Sequence, residues 1–189
     1  MSIEETSYTY YKLTVDLRDH DPFMIDRIME SNVHVARQWT PEYFLWLYNA
    51  VGRDYKWWYY NYKTDAELHD FLNDPKKQYI TLMHDGCPAG MAMIKYQTYS
   101  TVRRVVENFA DPSNFNCNLE YFGLLPHAIG KGVGKKFLKY CLYLATQHAD
   151  NMWVYTTSLD HPAALPTYKS VGFQLTEHRT VSEYLPQLC

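Results

Sequence analysis

Three glycines and several lysines lie close together in the segment LLPHAIGKGVGKKF, residues 124–137. Gly130, Gly132 and Gly134 stand between an apolar run and a segment with helical periodicity. Backbone N–H groups in such a turn can converge on an anion, and the start of the following helix adds a favourable potential. Lysines at positions 131, 135, 136 and 139 would attract a multiply charged ligand. The segment therefore predicts a phosphate site.

Two common phosphate-binding patterns do not fit this segment. A Walker A loop requires Gly, four residues and then Gly-Lys-Ser/Thr. Counting back from Gly134 places Ile129 at the first glycine, and Lys136 stands at the hydroxyl position. A dinucleotide fingerprint requires G-x-G-x-x-G, whereas the spacing here is G-x-G-x-G. For the glycines alone, a plain turn from strand to helix remains the alternative interpretation.

The segment LLPHAIGKGVGKKFL resembles the acetyl-CoA-binding segment of the GNAT superfamily of N-acetyltransferases. In that family a strand, a proline and the pattern Arg/Gln-x-x-Gly-x-Gly/Ala enclose the pyrophosphate of the cofactor. Gly132 and Gly134 match the glycines of the pattern, and Gly130 matches its common R-G-x-G-x-G variant. Ile129 stands at the Arg/Gln position, which removes one side-chain anchor but leaves the backbone amides in place.

A second segment, LDHPAALPTYKSVGF, resembles the downstream family motif N-x-x-A-x-x-L-Y-x-x-x-G-F. Four positions agree with the motif, namely Ala164, Tyr168, Gly172 and Phe173. His161 replaces the usual Asn, and Thr167 replaces the usual Leu. Two ordered motifs at the family separation make chance agreement much less probable than one motif would. The resemblance covers about residues 78–180, and it implies acetyl-CoA as the acetyl donor.

The resemblance implies a ternary complex in which acetyl-CoA passes its acetyl group directly to an amine. The amine must first lose a proton, because an alkylammonium titrates near about 10.4 and has no lone pair. Glu120 is predicted as the general base, directly or through water, since alternation with Phe122 and Leu124 turns it into the cleft. His161 is the rival base because its unperturbed pKa suits the task. A solvent-facing Glu120 and an Asp160-His161 helix cap stay open as structural alternatives.

The family chemistry also requires an oxyanion donor and a proton for the departing thiolate. The backbone N–H of Leu124 or Leu125 is predicted as the donor. Tyr168 matches the family tyrosine and is predicted as the general acid, with a core tyrosine as the alternative. Lys131 or Lys135 would reach a phosphate by its side chain. The predicted cofactor contacts are Phe122, Leu124, Leu125, Ile129, Gly130, Lys131, Gly132, Val133, Gly134, Lys135, His161 and Tyr168.

An aromatic cluster near residue 58 predicts part of the acceptor pocket. The family builds that pocket largely from its N-terminal helices and their loop, and here this region contains Trp57, Trp58 and Tyr59. Such rings can surround an amine or an apolar side chain. Packing between helix and sheet is the alternative. The histidines and cysteines show no metal-ligand spacing, so we expect no metal.

The elements that must position these residues follow from periodicity and capping signals. Residues 8–17 read as a strand, Thr40-Pro41 starts a helix that Gly52 ends, and Thr64 with Glu67 forms a capping box. Asp85-Gly86 predicts a tight hairpin turn between two apolar runs. The segments 107–118 and 118–125 are predicted as a surface loop and a strand. Further elements are a helix from about residue 133 to 144, a strand at 152–159, a short helix at 163–171 and an extended segment at 172–185.

These elements predict an α+β fold. The resemblance sharpens this to a mixed, mostly antiparallel twisted sheet that splays near residues 120–125, with helices on both faces. We expect one domain over residues 1–189. Within it, residues 1–77 would shape the acceptor pocket, and residues 78–189 would form the acetyl-CoA-binding core.

Composition narrows the function classes. The chain has 189 residues, a net charge of −3 and 47% hydrophobic residues, which argues against nucleic acid as a partner and for one compact core. The acidic start is unlike a signal peptide, and no apolar stretch is long enough for a membrane helix. Four scattered cysteines suit reduced thiols. We therefore expect a cytoplasmic protein without a membrane or nucleic-acid partner, and self-association as a homodimer stays open.

Three functions follow from these observations. The leading hypothesis is an N-acetyltransferase that acts on a primary amine of a small molecule or peptide. The second is a non-catalytic acyl-CoA-binding module of the same fold. A nucleotide-binding kinase is a distant third, because the Walker spacing is missing.

Overall fold

The computed structural model describes residues 3–20, 27–97 and 115–186. Within them, seven strands form one sheet in the order β2-β3-β4-β5-β6-β1-β7. The strands are β1 Ile3–Asp16, β2 Val33–Ala36, β3 Lys77–His84, β4 Cys87–Tyr96, β5 Asn116–Leu124, β6 Asn151–Thr157 and β7 Gln174–Pro186. Strands β5 and β6 pair in parallel, and the other five neighbouring pairs are antiparallel. The mixed, mainly antiparallel sheet expected from the sequence is confirmed.

Helices cover both faces of this sheet. They are α1 Arg27–Ser31, α2 Pro41–Gly52, α3 Asp65–Leu72, α4 Val133–Thr146 and α5 Ala164–Lys169. One core lies beneath α4 and α5 and includes Leu13, Leu119 and Phe137, each at most 1% exposed. A second core lies beneath α2 and α3 on the opposite face and includes Phe44 and Met91, both fully buried. The α+β class is confirmed, with three layers built around one sheet.

Local signals set the bounds of α2 and α3, the helices on the second face of the sheet. Thr40 caps α2 by accepting a hydrogen bond from the Tyr43 N–H, and Pro41 occupies the first turn. The Thr64 and Glu67 side chains form both hydrogen bonds of a capping box at the start of α3. Both helices were predicted from these residues, and both are confirmed.

The hairpin between β3 and β4 is also confirmed. Asp85 has φ 50° and Gly86 has φ 75°, the two positive values that a type I′ turn requires.

The predicted strand, helix, strand, short helix and extended segment of the second half correspond to β5, α4, β6, α5 and β7.

The structure differs from the sequence predictions in the end of one loop and in one additional strand. The predicted surface loop 107–118 was wrong at its C-terminal end, because Asn116–Asn118 already belong to β5. These residues pair with β4 and β6, which outweighs the turn preference of Asn. Residues 107–114 of that prediction lie outside the described residues. Strand β2 was not predicted, since four residues with weak alternation carry little periodic signal.

The remaining sequence expectations concern cysteines and membrane spans. Cys87 is exposed, Cys117 and Cys141 are buried, and all three are free thiols, whereas Cys189 lies outside the described residues. No helix in the described part of the chain has both the length and the apolar character needed to cross a membrane.

Candidate functional site

A cleft opens where β5 and β6 part. The two strands pair only over Asn116–Leu119 and Asn151–Val154. Beyond that point β5 stays with β4 as far as Leu124, and β6 stays with β1 as far as Thr157. The gap between them belongs to a cavity of about 780 Å³. The expected splay near residues 120–125 is therefore present, and it leaves backbone groups of β5 without a strand partner on this side.

The backbone of β5 decides which N–H group faces the gap. The Leu125 N–H donates to the Ala89 carbonyl at 2.8 Å, so it is directed towards β4. Successive N–H groups of a strand point in opposite directions, which turns the Leu124 N–H towards the cleft. Of the two predicted oxyanion donors, Leu125 was therefore wrong because β4 already uses its N–H group.

The glycine turn follows directly from β5. A short 3₁₀ turn at Pro126–Ala128 leads to Gly130 with φ 80° and Gly132 with φ 75°, and Gly132 caps α4 without a side-chain hydrogen bond. A side chain strongly disfavours both conformations. A Cβ placed on either glycine would meet no atom within 4 Å, so the turn has open space in front of it. The first N–H groups of α4 have no intrahelical acceptor, and together these features fit the pyrophosphate of coenzyme A.

The two candidate lysines of the turn have different surroundings. Lys135, in the first turn of α4, lines the cavity. Lys131 does not line the cavity, and its Nζ lies 3.9 Å from Asp85 Oδ2 in the β3–β4 turn. The geometry therefore favours Lys135 as the lysine that reaches a phosphate. Leu125 and Val133, two other predicted contacts, also lie outside the lining of the cavity, whereas Phe122, Leu124, Ile129, Gly130, Gly132, Gly134, His161 and Tyr168 line it.

Glu120 occupies a β-bulge. Met93 pairs with Tyr121 and Ile94 pairs with Leu119, so Glu120 has no opposite residue on β4. The bulge places Phe122 on the α4 side, where it stacks on Phe137 at 5.3 Å. Glu120 instead faces the α2 and α3 side. The predicted alternation of Glu120 with Phe122 and Leu124 was therefore wrong, although Glu120 still lines the cavity.

A buried lysine lies beside Glu120. Lys77 is 2% exposed, and its Nζ is 3.2 Å from Glu120 Oε2. The same ammonium donates to the Phe71 carbonyl at 3.1 Å and lies 3.2 Å from the centre of the Phe71 ring. Burial lowers the pKa of Lys77, and the Glu120 charge opposes that shift. Glu120 Oε2 is buried and lies against the Lys77 ammonium without the geometry of a hydrogen bond, so this ion pair is the contact that holds the carboxylate.

Tyr168 is buried at the face of α5 that meets the cleft. It is 5% exposed, with its ring 6.1 Å from Phe122 and 5.6 Å from Phe173. Burial raises the pKa of Tyr168, which keeps the phenol protonated at neutral pH. Tyr168 is therefore both a core tyrosine and a residue that lines the cavity, so the two sequence interpretations are compatible.

The His161 side chain stabilises the turn before α5. Its Nδ1 accepts a hydrogen bond from the Ala163 N–H at 3.0 Å, so the neutral ring carries its proton on Nε2. The ring also meets the Tyr55 ring edge to face, with centroids 5.8 Å apart. In this arrangement Nε2 donates a hydrogen bond rather than accepts one. This hydrogen bond belongs to the turn, since the N-cap of α5 is Ala163 without a side-chain hydrogen bond. The predicted Asp160-His161 helix cap was therefore wrong, and the geometry also disfavours His161 as a base.

The aromatic cluster after α2 forms one wall of the cavity, to which Trp57, Trp58 and Tyr59 all contribute. Trp57 also packs tightly on Gly52, where a Cβ would overlap the indole, and its ring lies 5.2 Å from Tyr121. Tyr59 is 54% exposed. Trp57 therefore both packs between helix and sheet and lines the pocket, the two alternatives that the sequence left open.

Asp160 is a site residue that the sequence reasoning considered only as part of a cap. Its Oδ2 accepts hydrogen bonds from the Thr157 N–H and the Thr156 hydroxyl, both at 2.7 Å. Its Oδ1 accepts a hydrogen bond from Trp57 Nε1 at 3.4 Å. The side chain thus fixes the end of β6 and joins it to the aromatic wall. An aspartate within a turn gives no sequence signal for such a distant partner.

Three further residues of the cavity wall had no sequence signal. Tyr8 and Tyr10 on β1 and Glu183 on β7 line the cavity and meet only because β1 and β7 are neighbours. For metals, the described residues contain no group of three or more His, Cys, Asp or Glu side chains that could hold an ion. The expectation that the protein uses no metal stays a prediction.

Comparisons with known proteins agree with this geometry. The chain resembles a protein from Novosphingobium aromaticivorans assigned to the GNAT family of acetyltransferases, with TM-score 0.60, 12% identity and coverage of 96% of this chain and 65% of that one. It also resembles a GCN5-related N-acetyltransferase from Kribbella flavida, with TM-score 0.54, 18% identity and coverage of 97% and 60%. At these identities the likeness shows the fold alone.

A third solved structure is a glucosamine N-acetyltransferase region of a fungal multi-domain β-N-acetylglucosaminidase, with TM-score 0.58, 15% identity and coverage of 96% of this chain and 21% of that one. The chain therefore spans less than two thirds of each of these structures. Among proteins of curated function, none matches the sequence. The model of the acetyltransferase (GNAT) family matches residues 33–173, well over half of the chain. The chain therefore belongs to the GNAT family of acetyltransferases.

Proposed function

We propose that the protein is an N-acetyltransferase that moves the acetyl group of acetyl-CoA directly to a primary amine of a small molecule or peptide. One observation carries the proposal: β5 parts from β6 next to a glycine turn that starts α4. This arrangement offers backbone donors to a pyrophosphate at one end of a cleft and to a carbonyl oxygen further along it. Membership of the GNAT family supports the same reaction class.

The pyrophosphate of coenzyme A would lie on the turn from Gly130 to Lys135. The amides of the turn and of the first turn of α4 would donate to phosphate oxygens, and Lys135 would add a positive charge. Ile129 is 38% exposed and lines the cavity. At this position an apolar side chain contributes contact area rather than a charged anchor.

The acetyl group would then meet the Leu124 N–H. As the amine nitrogen bonds to the carbonyl carbon, negative charge grows on the carbonyl oxygen, and this N–H group stabilises it. The amine has by then transferred a proton to Glu120, directly or through water, because only the neutral amine has the lone pair that attacks. The C–S bond breaks, and Tyr168 donates its proton to the departing sulfur. The products are an amide and coenzyme A.

Glu120 suits the role of base better than His161 in this geometry. Lys77 contacts Glu120 through Oε2, so Oε1 would be the oxygen that takes the proton, whereas the Nδ1 of His161 is already occupied by the Ala163 N–H. Lys77 holds the Glu120 carboxylate in place. We therefore assign His161 to the turn before α5 and to contact with the ligand.

A direct test is acetyl transfer to a panel of primary amines, monitored by release of the coenzyme A thiol. We expect turnover with the wild type and a kcat/KM lower by a factor of about 100 or more in Glu120→Gln. His161→Gln should retain most of the activity. Acetyl-CoA binding, measured by calorimetry, should be unchanged in Glu120→Gln. Equal activity of Glu120→Gln and the wild type with every amine would overturn the assignment of the base.

The non-catalytic acyl-CoA-binding module is the second candidate. The observation that favours it is the ion pair between Lys77 and Glu120, which engages the only carboxylate that β5 contributes in the described residues. If the protein is such a module, the wild type should bind acetyl-CoA but acetylate no amine. The same amine panel therefore separates the two functions.

A further inference from the structure

A carboxylate lies at the end of the cavity furthest from β5. Glu183 on β7 lines the cavity, and its Oε2 accepts a hydrogen bond from the Tyr8 hydroxyl at 2.6 Å. The Tyr8 hydroxyl is also 2.9 Å from the Tyr10 hydroxyl. Among the described residues no lysine, arginine or histidine forms an ion pair with Glu183. Within the described residues its recorded side-chain contact is thus a neutral phenol, and the exposed carboxylate is otherwise open to solvent.

The other two carboxylates of the cavity have partners that occupy them. Glu120 lies against the Lys77 ammonium. Asp160 accepts hydrogen bonds from Thr156, Thr157 and Trp57. Glu183 is thus the cavity carboxylate best able to receive a cation from a ligand. Glu183 is an exposed residue, so a cation can reach its carboxylate, and the tyrosine rings beside it present negative faces to that cation.

Tyrosine rings surround this carboxylate. The Tyr8 and Tyr10 rings have centroids 5.1 Å apart and are tilted by 54°. The Arg179 guanidinium already lies 5.4 Å from the centre of the Tyr10 ring, so this surface accommodates positive charge. Tyr55, Trp57 and Trp58 line the same cavity as Glu183 and β5; these three residues are called the aromatic passage below.

Glu183 is too far from β5 to act on the amine that is acetylated. Strands β6 and β1 lie between β5 and β7. Three strand intervals correspond to about 14 Å, even before the splay between β5 and β6 is added. An amine held by Glu183 would also stay protonated, whereas the reacting amine must be neutral. The position of Glu183 therefore suits a second positive group of the same acceptor and not the reacting amine.

We propose that the acceptor is an elongated molecule with two cationic nitrogens, a linear diamine or polyamine, one end held by Glu183 and the Tyr8–Tyr10 pair while the other is acetylated at β5. The proposal rests on the proposed function for the reaction, but the binding of the second nitrogen is independent of it. A separation of about 10 Å between the nitrogens fits the strand spacing and the reach of the glutamate side chain. The aromatic passage would contact the methylene chain.

The experiment compares octane-1,8-diamine with octylamine, which has the same chain and one nitrogen, and with the short ethane-1,2-diamine. We expect the wild type to have the lowest KM for the long diamine. Glu183→Gln should raise that KM about 10-fold, as loss of one charge-assisted hydrogen bond predicts, and should leave the octylamine KM unchanged. Tyr8→Phe should act in the same direction. Glu177→Gln is the matched control, since Glu177 lies on the same strand but pairs with Lys12 and does not line the cavity.

Direct binding separates failure of this inference from failure of the proposed function. Calorimetry with octane-1,8-diamine and coenzyme A needs no turnover. Binding that weakens in Glu183→Gln without acetylation of any amine by the wild type would keep the diamine site and refute the acetyltransferase. Acetylation in which Glu183→Gln changes the long diamine and octylamine equally, or changes neither, would refute the diamine site and keep the acetyltransferase. Thermal unfolding of each variant checks that the fold is intact.

Discussion

Trp57 Nε1 donates a hydrogen bond to Asp160 Oδ1 at 3.4 Å, which joins the segment after α2 to the turn after β6 across the mouth of the cleft. The two residues are 103 positions apart in the chain. Asp160 also holds the Thr156 hydroxyl and the Thr157 N–H, so one side chain fixes the end of β6 and the position of the aromatic wall. This wall faces β5, where the proposed transfer takes place.

Replacement of Asp160 should therefore loosen both sides of the cleft. We expect Asp160→Ala to lower the free energy of unfolding by about 1 to 3 kcal/mol, because the partly buried Thr157 N–H and Thr156 hydroxyl lose their acceptor. Urea denaturation measures the change. Asp70→Ala, at an exposed position of α3, is the control and should stay within about 0.5 kcal/mol of the wild type. Equal stability of the two variants would contradict a structural role for Asp160.

The Lys77–Glu120 pair should show strong coupling. We expect Lys77→Met to destabilise the fold by about 3 to 5 kcal/mol, because it leaves the Glu120 charge in a buried site without its partner. The double variant Lys77→Met, Glu120→Gln should recover most of that loss, since no buried charge remains. Denaturation of the four proteins of this double-mutant cycle gives the coupling energy. Simple additivity of the two single changes would show that the pair is not energetically linked.

The glycine turn should bind acetyl-CoA through its backbone. Gly132→Ala places a side chain at φ 75°, which should cost about 1 to 2 kcal/mol of stability and raise the acetyl-CoA Kd at least 10-fold, because the amides of the turn shift. Gly86 has the same φ of 75° in the β3–β4 turn and lies outside the cavity lining. Gly86→Ala should lose similar stability and keep the wild-type Kd. Similar Kd values for the two variants would argue against phosphate binding by this turn.

Tyr168 should donate a proton to the departing sulfur without affecting the binding of acetyl-CoA. We expect Tyr168→Phe to lower kcat about 10-fold to 100-fold while the acetyl-CoA KM stays unchanged, because only the phenolic proton is removed. The Tyr168 hydroxyl forms no hydrogen bond with the described residues, so we expect Tyr168→Phe to lose little stability. Tyr140→Phe is the control: Tyr140 is buried on α4 outside the cavity lining. A normal kcat for Tyr168→Phe would exclude the general-acid role.

Buried tyrosines should make the fold sensitive to alkali. Burial raises the pKa of Tyr48 to about 12 and also raises the pKa of Tyr79, Tyr121 and Tyr168. Each folded-state pKa exceeds the unfolded value of about 10. The protonated tyrosines therefore contribute their full stabilisation of the fold below about pH 10, and this contribution is lost as the pH rises through the folded-state pKa values. The Tyr48 shift corresponds to a free-energy difference on the order of 3 kcal/mol.

We therefore expect the free energy of unfolding to vary little with tyrosine ionisation at neutral pH and to fall steeply above about pH 10. Urea denaturation at a series of pH values measures the slope. Tyr48→Phe should show a shallower decline than the wild type, since its ring cannot ionise. Identical slopes for the two proteins would show that Tyr48 does not contribute to the alkaline loss.

The sequence by itself determined most of the elements and the glycine turn before α4. Capping residues such as Thr40 and Thr64, the Asp85-Gly86 pair and the glycines before α4 act on their immediate neighbours in the chain, so their effects can be read from local spacing. The two motifs around Gly132 and Tyr168 were informative for the same reason. Each combines a strand, turn or helix signal with residue types that the cofactor requires.

Only the tertiary structure decided how the site is arranged. The bulge at Glu120 arises from the register with β4, and one extra residue is enough to move the carboxylate to the opposite face of the sheet from Phe122. Lys77 meets Glu120 because β3 and β5 both pair with β4, and Glu183 meets Tyr8 because β7 pairs with β1 over a separation of 175 residues. These contacts depend on which strands become neighbours, and local sequence patterns carry no information about that choice.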